Sequence, residues 1–119
     1  MNKGKKISGG RYKKNRKKKS YEIAGQRRIV KLGEEKKKSQ RTLGGNKKFS
    51  LLKTKFVNVI QGNKSKKIEI KNVLETPSNR FLARQNVLTK GTIVETELGK
   101  AKVTNRPGQE GAVNGILLK

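Results

Sequence analysis

Six cations occupy seven consecutive positions: Lys13, Lys14, Arg16, Lys17, Lys18 and Lys19, interrupted only by Asn15. No folded core gathers so many like charges without counterions, and the phosphates of a nucleic acid are the natural ones. Tyr12 and Tyr21 flank this run, and Arg11 precedes it. Aromatic rings and guanidinium planes stack on unpaired bases, so the mixture suits single-stranded loops of folded RNA. Gly9-Gly10 and Gly44-Gly45 stand in similarly basic surroundings. There the missing Cβ atoms would let backbone N–H groups approach a phosphate, flexible spacing being the competing account.

Bond-making chemistry has few candidates. The chain contains neither His nor Cys, which removes zinc-finger ligands, thiol nucleophiles, disulfides and the usual proton-transfer group near neutral pH. Glu34 and Glu35 are adjacent and surrounded by lysines, so they read as solvated acids rather than an acid/base pair across a cleft. Gly62-Asn63-Lys64-Ser65 resembles the end of a phosphate-binding loop, but lacks that motif's upstream Gly and its Gly-Lys pair, and reads as a hairpin turn. No enzymatic activity, cofactor, metal or small-molecule substrate is expected.

The elements that must position these cations are unevenly distributed. Of the 32 Lys and Arg residues, 19 lie in the first 48 positions, against only 3 of the 8 acids. The formal net charge is +24, which a compact body tolerates best beside a polyanion. Apolar residues favour the second part, so residues 1–48 read as a basic RNA-binding extension and residues 49–119 as the folding unit. The extension is expected to be disordered in the free protein, apart from a possible short strand near 36–42. No apolar run approaches the roughly 18 residues of a membrane span, and no signal-peptide pattern follows the basic start, so a soluble, non-secreted protein is expected.

Residues 49–60 read as one strand, with Leu52, Thr54 and Phe56 alternating with lysines before Val57, Val59 and Ile60. Gly62-Asn63 turns the chain, and Ile68 and Ile70 mark a half-buried strand running to Val73 and Leu74, stopped by Pro77. Ser78 is placed to cap one helical turn through Phe81, Leu82 and Ala83. Residues 92–97 and 100–104 flank Leu98-Gly99 as a β-hairpin, Pro107-Gly108 suits the centre of a type II turn, and residues 112–118 close the set. The fold class is therefore mainly β: a small closed β-barrel, which leaves no strand edges, with a long, basic, extended N-terminal arm.

Four segments, KKISGGR at 5–11, RTLGGNKK at 41–48, NVLTKG at 86–91 and GKAKVTNRPGQEGAVNGILL at 99–118, resemble the S-eight-e family of archaeal and eukaryotic small-subunit ribosomal proteins. The similarity spans nearly the whole chain, and the compact length looks archaeal. It implies a β-barrel with a basic extension bound to small-subunit ribosomal RNA, beside neighbouring ribosomal proteins, in the cytoplasm and away from membranes. Leu43 departs from the family, where a basic residue is more usual, and the aromatic residue that often precedes Ser-Gly-Gly is absent. On this reading phosphate contacts are expected of Lys5, Lys6, Arg11, Lys13, Lys14, Arg16, Lys17, Lys18, Lys19, Arg27, Arg28, Lys47 and Lys48. Arg41 and Asn46 are expected in a groove, Tyr12 and Tyr21 on bases, and Lys90 and Arg106 on the barrel's RNA face, beside turn glycines. A DNA-compacting protein and a ribonuclease or RNA-modifying enzyme using Lys and Glu are the competing readings, and the charge of residues 13–19 equally suits nuclear localisation as an additional role.

Overall fold

Ile68 and Ile70 are buried while Lys67, Glu69 and Lys71 between and around them face solvent, the alternation of a half-buried strand. The computed structural model, which describes residues 4–13, 15–62 and 64–118, places them in the longest strand, β5 (Lys64–Glu75). Before it come β1 (Lys31–Leu32), β2 (Lys36–Arg41), β3 (Lys47–Thr54) and β4 (Phe56–Gln61); after it come β6 (Ile93–Thr96), β7 (Gly99–Val103) and β8 (Asn114–Leu117). Strands β4, β5, β6, β7 and β8 close into a barrel, as the short strand bursts predict. Closure runs through a parallel pairing in which Asn58 faces Asn114 and Ile60 faces Ile116.

The core is made by the inward residues of those strands: Val57 and Val59, Ile68, Ile70 and Val73, Val94, Ala101 and Val103, all buried. Each fully buried Val or Ile contributes about 1.5–3 kcal/mol relative to exposure, so this β-branched set is the main source of stability. Between Ile70 and Asn72 the β5–β6 register shifts, which changes the inward phase from Ile70 to Val73 and leaves Leu74 partly exposed. The backbone of Gly115 passes so close to β7 that a Cβ there would meet the Lys102 carbonyl oxygen at 3.0 Å and Val57 Cγ2 at 3.4 Å. Gly115→Ala is therefore expected to lower stability by about 1–3 kcal/mol through overpacking, read as a drop in the urea midpoint at unchanged slope.

Several local expectations are corrected. Residues 49–60 are two strands: Thr54 Oγ1 accepts from Phe56 N–H at 3.2 Å and bends the chain at Lys55, so β3 joins one sheet and β4 the barrel. The buried positions consequently run Ser50, Leu51, Thr54, Val57 and Val59 rather than Leu52, Thr54 and Phe56. Asn79, not Ser78, caps the short helix α1 (Arg80–Arg84), its Oδ1 accepting from Phe81 N–H at 3.0 Å. In the hairpin, Thr96 pairs with Gly99, so the connecting residues are Glu97-Leu98, and Gly99 opens β7 at φ 117°. Gln109 N–H and Glu110 N–H both bond to the Arg106 carbonyl, and Gly108 lacks the positive φ of a type II turn. At the first hairpin Gln61 pairs with Lys64 and Gly62 has φ 60°; Asn63 lies outside the described residues.

A second sheet, in the order β1-β3-β2, carries the basic segment onto the barrel. The expected strand at 36–42 is β2, but ordered structure also reaches back to β1, and Val30 is only 2% exposed within the core. The apolar contacts that bury it come from residues distant in sequence, which composition alone does not reveal. Residues 4–29 are exposed throughout their described positions and make few backbone bonds, among them Lys6 N–H to Gly10 O and Glu22 N–H to Lys19 O. Amide exchange in the free protein is expected to be fast across residues 4–29 and slow in β4 to β7. Uniformly slow exchange in both regions would contradict that division.

Candidate nucleic-acid interface

Three segments distant in sequence meet beside the barrel. Leu88 N–H donates to the Val30 carbonyl at 2.8 Å, Leu51 N–H donates to the Pro107 carbonyl at 3.1 Å, and Gly108 packs against the backbone of Arg28. These bonds bring residues 25–30, 88–90 and 106–109 around one open groove of about 510 Å³. Its apolar wall contains the buried Val30, Leu88 and Pro107. Its charge comes from Arg27, Arg28, Lys48, Lys90 and Arg106, and no carboxylate lines it.

Neutral partners hold two of these cations. Arg28 donates to Gln40 Oε1 on β2 at 2.5 Å, and Lys48 Nζ lies 3.4 Å from Gln109 Oε1. An amide oxygen orients a cation without cancelling its charge, so the groove keeps a concentrated positive field for an anion. Both ion pairs among the described residues lie elsewhere, Lys37 to Glu35 and Arg16 to Glu22.

The hairpin of β2 and β3 flanks the groove. Gln40 pairs with Lys48 and Arg41 with Lys47, and every residue of β2 is exposed. At its tip, Thr42 N–H and Oγ1 both donate to the Asn46 carbonyl, at 2.7 and 3.0 Å. Gly44 and Gly45 take φ values of 79° and 82°, which side-chain-bearing residues rarely adopt, so the tip requires both glycines. Leu43 stands fully exposed there.

The remaining expected contacts lie along the N-terminal segment. Lys5 bridges to Arg11 across a tight turn, and Lys6 Nζ sits 5.7 Å from the Tyr12 ring centroid. Lys19 Nζ is 5.8 Å from the Tyr21 ring, whose exposure is 75%. Lys13, Lys17 and Lys18 are exposed, whereas Lys14 lies outside the described residues. Arg16 differs: its guanidinium forks onto Glu22 at 2.8 and 2.6 Å. That fork, reinforced by Lys19 N–H, holds the Glu22 carboxyl below the usual carboxylate range. A depressed carboxylate pKa means that the pairing is present above the ordinary value and lost as pH falls through the lowered one.

The structure thus gathers Arg27, Arg28, Lys48, Lys90 and Arg106 at one groove, sets Arg41, Asn46 and Lys47 on the adjoining hairpin, and leaves the described residues among 5–21 along a separate exposed segment. The sequence reading missed the amide partners Gln40 and Gln109 and the wall residues Val30 and Leu88. Nothing in their local sequence marks them, because their role comes from pairings across the fold.

No helix among the described residues is long and apolar enough to cross a membrane. A model of the family described as "Ribosomal protein S8e" matches residues 1–118. The chain is 44% identical to "Small ribosomal subunit protein eS8" of Sulfolobus acidocaldarius, an alignment covering 99% of this chain and 94% of the relative. Proteins of the same description from Nanoarchaeum equitans and Methanococcus aeolicus are 45% and 46% identical, each alignment covering 95% of this chain and 91% of the relative.

Proposed function

Since the chain belongs to the ribosomal protein S8e family, we propose that it is a structural constituent of the small ribosomal subunit that binds ribosomal RNA and stabilises its folding by neutralising phosphates. The observation that carries this reading is the groove in which Arg27, Arg28, Lys48, Lys90 and Arg106 converge without a carboxylate. Guanidinium and ammonium groups so placed donate charge-assisted hydrogen bonds to phosphate oxygens and fix the register of an RNA strand without reading its sequence.

In this reading residues 1–48 form the RNA-binding extension and residues 49–119 the barrel domain that docks beside it. The exposed Lys5, Lys6, Arg11, Lys13, Lys17, Lys18 and Lys19 lay their charge along neighbouring RNA helices, whose mutual repulsion falls as a result. Lys14 joins them on sequence grounds. Tyr12 and Tyr21 present faces for unpaired bases. The partners are small-subunit ribosomal RNA and adjacent ribosomal proteins, in the cytoplasmic ribosome, and the role needs no catalytic step, cofactor, small-molecule substrate or membrane.

The test is association under competition. The chain should cosediment with small ribosomal subunits at moderate salt, and should bind a small-subunit ribosomal RNA transcript in preference to duplex DNA of equal length. Equal affinity for both nucleic acids, with no cosedimentation, would support a DNA-compacting role and overturn this one.

A further inference from the structure

Away from the cationic groove, a second hollow of about 320 Å³ opens between β5 and the end of α1. Its lining is Asn72, Val73, Leu74, Ala83, Arg84 and Asn86, which makes its polar groups two amides and a single guanidinium. The Oδ1 of Asn72 accepts from Val73 N–H at 2.9 Å, which leaves its NH2 group as the donor available to a ligand. No hydrogen bond within the described residues occupies the side chains of Arg84 or Asn86. Asn86 has φ 52°, the one positive φ outside glycine among the described residues. It ends α1: its N–H donates to Ala83 O, and Val87 N–H reaches back to Leu82 O. The Asn86 backbone is thereby fixed on both sides, since its carbonyl also accepts from Leu32 N–H at 2.9 Å, and its amide is presented from a rigid position.

Phe81 stands one helical turn before Arg84, on the same side of α1, and is 63% exposed. Leu74, on the wall of the hollow, is 41% exposed. An exposed aromatic ring one helical turn from Arg84, with the guanidinium, the Asn86 amide and the Asn72 NH2 group lining the hollow, makes a poor site for phosphate, which favours clustered cations. It matches a base: the ring offers a stacking face, while Asn and Arg forks are the groups that bond to the N7 edge of adenine and guanine. Pyrimidines lack N7. Glu95, opposite Asn72 in the β5–β6 ladder, further disfavours phosphate while leaving an uncharged base edge acceptable.

We propose that Phe81, Arg84, Asn86 and Asn72 form a binding site for one unstacked purine of the RNA. The proposal rests on the RNA-binding reading above and adds a contact that selects RNA shape and base, where the groove supplies charge. It also gives a role to the first residue of the NVLTKG segment.

The experiment uses the full chain and two hairpins, a short RNA hairpin carrying a single bulged aminopurine reporter and the same hairpin fully paired, with a bulged-uridine version of the first as the probe of base identity. The wild-type chain should prefer the bulged hairpin by about 5- to 10-fold, the lower part of the range for one stacked base, and should quench the reporter. Phe81→Ala should abolish both the preference and the quenching. Asn86→Gly, which tolerates the positive φ while removing the amide, should abolish the preference for a bulged purine over a bulged uridine. Neither variant should change affinity for the paired hairpin or the slope of log affinity against log salt, because neither removes a phosphate contact. If the wild-type chain binds both hairpins equally, or if Phe81→Ala keeps the preference, the purine site is wrong while the RNA-binding reading stands. If the wild-type chain binds neither hairpin nor the ribosomal RNA transcript, both fall. Unaltered RNA discrimination combined with loss of cosedimentation in Phe81→Ala would assign this surface to a protein neighbour and also overturn the proposal.

Discussion

Val94→Asp, and separately Val103→Asp, should leave the barrel unfolded at room temperature. Val94 is fully buried, pairing with Val73 on β5 and Ala101 on β7, and Val103 is 1% exposed opposite Gly115 of β8. Each substitution loses about 1.5–3 kcal/mol of apolar burial and inserts a carboxylate with no cation inside the barrel. An unpaired buried charge costs several kcal/mol more even after its pKa rises, and the total stability of a domain is only about 5–15 kcal/mol. The chain has no Trp, and both tyrosines lie in the N-terminal segment, so fluorescence would not report on the barrel. Far-UV circular dichroism and amide dispersion in NMR spectra would. Lys102→Asp, on the exposed face of β7, is the matched control and should keep a native melt. Native-like melting of both core variants would show that the inward set of this hairpin is misassigned.

The hairpin and β5 were legible because their signals are local: Ile68 and Ile70 alternate with charges, and Val94 and Val103 flank a turn that a glycine can close. The break at Lys55 was not, since it arises where Thr54 bonds to Phe56 and the chain changes partners from β2 to β5. Pro107-Gly108 announced a turn, but its type depended on Gln109 and Glu110 N–H both reaching Arg106 O. The candidate groove divides in the same way. Its cation types could be read one residue at a time, whereas the convergence of Arg28, Lys48, Lys90 and Arg106 depends on pairings between segments far apart in sequence, such as Leu88 with Val30. Asn86 shows the limit most clearly: the sequence marks it only as the first residue of the NVLTKG segment, and its left-handed backbone at the end of α1 makes it a candidate contact.

Equal losses of charge from the two basic regions should give unequal losses of RNA affinity. Consider one variant with Arg27, Arg28, Lys48, Lys90 and Arg106 all changed to Gln, and another with Lys13, Lys14, Lys17, Lys18 and Lys19 so changed. Each lowers the net charge by the same five units, and the groove residues are exposed, so neither variant should lose the barrel's circular dichroism signal. The groove cations surround a space of about 510 Å³, where an RNA strand can place only two or three phosphates. At roughly 0.7 to 0.9 per phosphate, the groove variant should flatten the slope of log affinity against log salt by about 1.5 to 2.5 units. Residues 13 and 15–19 lie along exposed, non-helical chain, which spans about 3.3 Å per residue and lets each ammonium find its own phosphate. The segment variant should therefore lose about 3.5 to 4.5 units. Arg16, whose guanidinium forks onto Glu22, is kept in that variant so that both variants remove five charges. Binding isotherms on a small-subunit ribosomal RNA transcript across a salt series measure both slopes directly. A segment variant with an unchanged slope would remove residues 13–19 as an electrostatic anchor and leave the groove as the principal phosphate site. A groove variant with an unchanged slope would do the reverse, and would take away the observation on which the proposed function chiefly rests.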